Sequence, residues 1–200
     1  MSTTEKAAPA MPAHRGRWID HWEPEDPGFW ENTGKRVANR NLWVSVFAEH
    51  IGFSIWTIWS VLVLFMGPAY GIDPAGKFFL VALPSLVGGL ARIPYTMAPA
   101  RFGGRNWTIV SVLLLLIPTT AAIVVMHPGT SYTTFVLVAA LGGRGGGNFA
   151  SSMVNINSFF PADLQGWRVG RNARDGNTAC TVVQPPARPV IATVAATSPH

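Results

Sequence analysis

Charged side chains are scarce in this sequence. Asp, Glu, Lys and Arg make up 12% of its 200 residues, about half of the share that is usual in globular proteins. Hydrophobic residues make up 48%, and tryptophan, which favours the membrane interface, occurs eight times. This balance argues against an ordinary soluble domain and predicts an integral membrane protein.

Other features are missing as well. Cys180 is the only cysteine, so we expect neither an intrachain disulfide nor a thiolate metal cluster. The basic residues are spread between apolar blocks and near the termini, so nucleic acid is not an expected partner. The N-terminus has no short apolar run with a small-residue cleavage site, which predicts no cleaved signal peptide. No nucleophile–base pair or cofactor motif is present, so we expect neither an enzyme nor a bound cofactor.

Long apolar segments occupy the middle of the chain. They predict four transmembrane helices within residues 43–167, at about 43–66, 78–99, 107–126 and 133–160. The third is twenty residues without a charge, the length that a bilayer core requires. Residues 1–17 are predicted to be a disordered tail. Residues 18–42 form a cytoplasmic or interfacial leader, in which Pro24 and Pro27 should break any long helix.

The segment 168–200 suits a membrane poorly, although a fifth helix is expected there. It contains Arg171, Arg174 and Asp175, and each charge costs about 2.5–3.5 kcal/mol at the centre of a membrane helix. Three prolines follow, each costing about 3 kcal/mol in a helix interior. We therefore expect this segment to stay mostly outside the bilayer core.

Lysine and arginine are distributed unevenly over the connections. They precede the first span, follow the second and follow the fourth: Lys35, Arg36, Arg40, Arg101, Arg105, Arg168 and Arg171. The other two connections have only Lys77 and His127. Because cytoplasmic loops carry the excess of basic residues, the N-terminus is predicted to be cytoplasmic in the cell inner (plasma) membrane.

Arg92 is the ionisable residue whose position is most informative. It lies nine residues before Arg101, which is about 14 Å deeper along a helix. It could snorkel to the headgroups, but this depth favours a side chain facing the interior of the bundle. A buried guanidinium requires an anionic partner, and its planar fork matches a small oxyanion. For Arg144, the functional and the accidental interpretation are equally compatible with the sequence.

Glu49 and His50 lie about a third of the way into the first span. They could form a proton-handling pair, since ionisable groups within membranes are usually functional. They could also lie near the cytoplasmic edge and reach water, which is the interpretation that the sequence favours.

The later part of the fourth apolar segment is the stretch GGRGGGNFASSMVNINSFFP, residues 142–161. Five of the first six residues of this stretch are glycine, and in a membrane such small residues let helix backbones approach closely. We therefore expect Gly145, Gly146 and Gly147 to be helix-packing residues, together with Gly88 and Gly89 of the second span. The asparagines and serines should supply polar groups inside the bundle.

Three stretches together carry a resemblance to a known family. They are WEPEDPGFWENTGKRVANRNLW (22–43), ARIPYTMAPARFGGRNWT (91–108) and GGGNFASSMVNINSFFP (145–161). In order and spacing the chain resembles the nitrate/nitrite porters of the major facilitator superfamily, over about residues 18–167.

Beyond residue 167 the resemblance continues in an altered form. The family's fifth-helix signature is G-L-N-A-G-x-G-N-x-G followed by V-V-Q. Matching positions are Gly170, Asn172, Ala173, Gly176, Asn177, Val182, Val183 and Gln184. Arg171, Arg174 and Ala179 stand where the family has leucine and two glycines, and Arg144 replaces a bulky apolar residue. Drift or sequence error would produce such changes, and resequencing the gene would tell these two apart.

The resemblance implies an all-α transporter of twelve helices in two halves, with one anion site between them. It implies that Arg92, Phe149, Asn177, Asn172 and Gly176 bind nitrate or nitrite. The chain is then expected to be an N-terminal fragment that lacks the C-terminal half and is inactive alone. Antiport and proton symport both remain open. The alternative is a non-transporting membrane subunit or scaffold that binds a partner through its small-residue helices.

Overall fold

The computed structural model describes Ile19 and residues 21–197, with the backbone alone for residues 187, 188, 190–192 and 194–197. This part of the chain is all-helical, as predicted. It forms five long helices: α1 (Pro27–Leu64), α2 (Pro74–Phe102), α3 (Gly104–Val125), α4 (Tyr132–Phe159) and α5 (Ala162–Thr197). The predicted disordered tail, residues 1–17, lies outside the described residues.

Helix α1 begins at Pro27, well before the predicted start near residue 43. The expectation that Pro27 breaks a helix in the leader is therefore wrong. Proline is tolerated at the first position of a helix, where its missing N–H would have no partner. The Asp26 carboxylate completes this start by accepting bonds from the N–H groups of Gly28 (3.1 Å) and Phe29 (3.0 Å). The leader thus continues into the first span through a π-helical turn, Trp30–Gly34.

The remaining helix boundaries also follow from local chemistry. Asp73 and Ser131 cap the first turns of α2 and α4 by accepting from the N–H groups of Gly76 and Thr134. Gly103, with φ of 79°, joins α2 directly to α3 in a conformation that favours glycine. Helix α3 is interrupted at Leu115, because Pro118 has no N–H to donate to the carbonyl four residues earlier.

Three of the five helices, α1, α2 and α3, are long and apolar enough to cross a membrane. Helix α4 has 28 residues, a sufficient length, but its glycines, serines and asparagines keep it out of that group. The four predicted spans are thus all helices, and three of them also have a composition typical of membrane spans.

Helix α4 is the centre of the bundle, because it contacts each of the other four helices. Two apolar clusters hold it. Phe135 and Ala139 pack with Trp59, Val63 and Leu80 towards one end. A second cluster, at the other end of α4, comprises Trp30, Ala38, Leu42, Val46, Ile156 and Phe160.

The glycine run of α4 lies where backbones meet. A Cβ added to Gly145 would lie 2.6 Å from the carbonyl oxygen of Gly52 in α1. A Cβ on Gly88 of α2 would lie 2.8 Å from the carbonyl oxygen of Gly143. Real Cβ atoms do not come this close, so α4 touches α1 and α2 through backbone atoms. At Gly89, in contrast, nothing lies within 4 Å of the added atom.

Helix α5 departs most from expectation. It is a continuous helix, and its buried residues Asn172, Gly176 and Ala179 form one stripe at i, i+4 and i+7. This stripe packs against α1, where the Thr57 hydroxyl donates to the Cys180 sulfur at 3.1 Å. Helix α5 thus packs on the bundle, but it is not among the described helices that are apolar enough to cross a membrane, and its exclusion from the bilayer core stays a prediction.

The charges of α5 are accommodated on its other face. Arg171 and Arg174 both bond the Asp175 carboxylate, at 3.3 and 2.8 Å. The α4 glycines meet α1 and α2, and the Arg174 side chain is 72% exposed.

Candidate functional site

Arg92 and Phe149 lie together at the contact between α2 and α4. The guanidinium carbon of Arg92 is 5.4 Å from the centre of the Phe149 ring. The small residues beside them allow this approach: a Cβ on Gly147 would lie 3.1 Å from the Ala91 Cβ, so the two backbones run close together. Arg92 is the next residue on α2, and Phe149 comes two residues later on α4.

The surroundings of this pair leave the Arg92 guanidinium without a carboxylate partner among the described residues. Phe149 is half-buried and also contacts Phe53 of α1, with ring centres 6.0 Å apart. Arg92 is exposed, and within the part of the chain that the structure describes no carboxylate lies within 4 Å of its guanidinium. A cation over an aromatic face gains about 0.5–1 kcal/mol at an exposed site. This contact orients the guanidinium and leaves its N–H donors available.

The signature residues of α5 occupy different surroundings. Asn177 is exposed and donates to the Ala173 carbonyl at 2.8 Å, one turn earlier. Asn172 is fully buried, and its Nδ2 donates to Oε1 of Glu49 at 2.6 Å and to the Ser152 hydroxyl oxygen at 3.1 Å. Gly176 lies directly against the Glu49 carboxylate, where a Cβ would clash. In this structure Asn172 and Gly176 therefore contact Glu49, while Arg92 contacts Phe149.

Glu49 is buried, with 1% of its surface exposed. The interpretation that it reaches water at the cytoplasmic edge is therefore wrong. Its neighbour His50 is only half-buried, and Arg144 is exposed on α4.

Sequence reasoning did not find Ser152 or the link between Glu49 and Asn172. These two residues are 123 positions apart, so no local pattern connects them. The expectation that asparagines and serines of α4 supply buried polar groups is confirmed for Asn148, Ser151, Ser152 and Asn155, whereas Asn157 and Ser158 are exposed. Ser111 of α3 donates to Asn148 Oδ1 at 2.9 Å.

No family model matches the chain, but three of its known relatives are named as nitrate/nitrite transporters or antiporters. It is 41% identical over 168 residues to the nitrate/nitrite transporter NarU of Salmonella typhimurium and 42% identical over 165 residues to that of Escherichia coli. It is 38% identical over 173 residues to the probable nitrate/nitrite antiporter NarK2 of Thermus thermophilus. These alignments cover 82–85% of this chain but 36–38% of the relatives. The chain therefore spans about a third of their length, and the relatives are transporters rather than enzymes.

Proposed function

We propose that this chain, a homologue of the bacterial nitrate/nitrite transporters, is the N-terminal part of a transporter that carries nitrate and nitrite across the cell membrane. It would supply one side of the anion site, and the part of the relatives that it does not span would supply the other. The identity of about 40% over four-fifths of the chain supports the substrate class.

The observation that carries this proposal is the Arg92–Phe149 contact. Nitrate is a planar oxyanion, and the planar guanidinium fork can donate two parallel N–H bonds to two of its oxygens. Phe149, at 5.4 Å, restricts the guanidinium to one face of the ring and so prepares its donors before the anion arrives. The absence of a carboxylate within 4 Å of Arg92, in the described residues, leaves its positive charge for the substrate.

The packing of α2 on α4 supplies the rigidity that such a site needs. Gly88, Gly143 and Gly147 bring the two backbones together, so small movements of α2 relative to α4 would meet backbone atoms. During alternating access, the helices of this chain would then move together as one rigid body. The anion would lie between them and the part of the transporter that the chain does not span.

A chimera tests the proposal directly. Residues 18–167 would replace the aligned segment of the Escherichia coli transporter, whose relationship to this chain is 42% identity. We expect nitrate uptake into cells that lack their own nitrate transporters, because the substituted segment supplies an equivalent arginine and aromatic ring. A chimera present in the membrane at the level of its parent but without uptake would contradict the proposal and favour the scaffold alternative.

We further propose that the N-terminus is cytoplasmic, as the basic residues predict. After Cys180→Ala, single cysteines at Lys35 or Arg101 should react with a membrane-impermeant thiol reagent only after permeabilisation. Cysteines at Asp73 or His127 should react in intact cells. All four positions are exposed in the structure, so access is not limited by the fold. Labelling of the cysteine at the Arg101 position in intact cells would show the opposite orientation.

A further inference from the structure

Glu49 is the one buried acidic residue among those that the structure describes. Its Oε1 accepts the bond from Asn172 Nδ2 at 2.6 Å. Its Oε2 is fully buried and has no hydrogen-bond partner. The amide oxygen of Asn172, Oδ1, is also buried and without a partner. One side-chain pair therefore contains two buried acceptors that both lack a donor.

No positive charge compensates this carboxylate. The groups that face it from α5 are Asn172 and Gly176, and from α4 Ser152 contacts it through Asn172. On α1 its titratable neighbour is the half-buried His50. No described basic side chain lies within 4 Å of the Glu49 carboxylate.

Two arginines of α5, Arg171 and Arg174, have partners other than Glu49. Arg171 bonds Asp175, and its guanidinium lies 5.0 Å from the centre of the Trp43 ring. Arg174 bonds the same aspartate from an exposed position. The single carboxylate of Asp175 thus occupies both cations, and neither is paired with Glu49.

A buried carboxylate without a cation is very costly, and such groups usually take up a proton instead. A proton on Oε2 would also supply the donor that the pair lacks. The neutral acid could donate Oε2–H to Asn172 Oδ1 while accepting Asn172 Nδ2–H at Oε1. This is the cyclic pairing of a carboxylic acid with an amide, in which one added proton makes one hydrogen bond that gives both oxygens a partner.

We propose that Glu49, with Asn172 as its positioning residue, is a proton-binding site between α1 and α5. Binding forms an O–H bond at Oε2 with a proton from water, and release breaks it, without any redox partner. The Gly176 position is part of the site, because a side chain there would occupy the space of the carboxyl group. If the proposed transport function holds, this site gives the transporter a group that can couple anion movement to protons.

The test measures proton binding on the chain itself and does not depend on nitrate transport. The sequence contains five glutamates, Glu5, Glu23, Glu25, Glu31 and Glu49. With carbon-13 in their side chains and the chain in lipid nanodiscs, each carboxyl carbon gives a resonance whose shift reports its protonation. At neutral pH we expect four resonances at the carboxylate position and one at the position of the neutral acid.

Substitutions assign these resonances. Glu49→Gln should remove the neutral-acid resonance and leave four carboxylates. The matched control Glu31→Gln, at an exposed residue paired with Lys35, should remove one carboxylate and leave the neutral acid. Five carboxylate resonances at neutral pH would overturn the proposal, as would the loss of a carboxylate resonance in Glu49→Gln. If Glu49→Gln does not fold, the unsubstituted chain and Glu31→Gln still decide by the presence of the neutral acid.

Asn172→Leu separates pairing from burial alone. It keeps Glu49 covered but removes both amide groups, so we expect the neutral-acid resonance to shift as its hydrogen bonds are lost. If that resonance stays unchanged, Asn172 does not position the proton. These spectra are recorded on the chain itself and do not involve nitrate uptake. A chimera that fails to take up nitrate would therefore count against the transport proposal but not against the proton site.

Discussion

Replacing Arg92 by lysine is expected to lower nitrate uptake through the chimera by about tenfold or more. Lysine keeps the charge but cannot donate two parallel N–H bonds to one planar anion. A hydrogen bond to a charged group contributes about 1.5–3 kcal/mol, and about 1.4 kcal/mol corresponds to a factor of ten. The ammonium of lysine is also a point charge, so Phe149 would orient its donors less firmly than those of the planar guanidinium, which lies at 5.4 Å.

The matched control is Arg101→Lys on the same helix. Arg101 is exposed in the last turn of α2 and has no assigned contact with the anion, so uptake should be nearly unchanged. Initial rates of labelled nitrate uptake would be divided by the amount of chimera in the membrane. An Arg92→Lys rate close to that of the Arg101→Lys control would show that Arg92 does not bind the substrate bidentately.

Alanine is expected to destabilise the bundle at one of two neighbouring glycines and not at the other. At Gly88 the added Cβ would lie 2.8 Å from the Gly143 carbonyl oxygen, so α2 and α4 must separate. Overpacking of this kind costs about 1–3 kcal/mol. At Gly89 nothing lies within 4 Å of the added atom. That substitution should be neutral or stabilising by up to about 1 kcal/mol, because alanine favours a helix over glycine.

The comparison is well controlled, since the two substitutions are chemically identical and one residue apart. Unfolding of the chain by increasing denaturant in detergent micelles, followed by loss of helical signal, gives the difference directly. Equal shifts of the two midpoints would mean that the close approach of α2 and α4 does not contribute to the stability of the bundle.

The sequence predicted well those features that depend on local composition. The three most apolar spans and the buried polar groups of α4 follow from residues within a few turns of one another. The start of α1 differs from the prediction, which assigns Pro27 the role of a helix breaker. The same residue favours a first turn when Asp26 precedes it.

The packing of α5 on α1 could not be predicted, because it depends on contacts between residues that are distant in sequence. Counting Arg171, Arg174 and Asp175 as separate costs ignored their joint pairing. It also ignored that Asn172, Gly176 and Ala179 share one face, which suits a close approach to α1. Glu49 was misjudged for the same reason, since its cover comes from a residue 123 positions later.

The central position of α4 has a consequence for how the chain is made. Helices α1, α2 and α3 leave the ribosome first, yet their shared surfaces are small compared with those that each forms on α4 or, for α1, on α5. Until α4 is made, the surfaces of α1 and α2 around Gly52 and Gly88, which contact α4 in the structure, are therefore uncovered. The bundle can be completed only after α4, which ends at Phe159, has entered the bilayer. A pause in translation before this point would prolong the exposure of Gly52 and Gly88 to chaperones and membrane proteases.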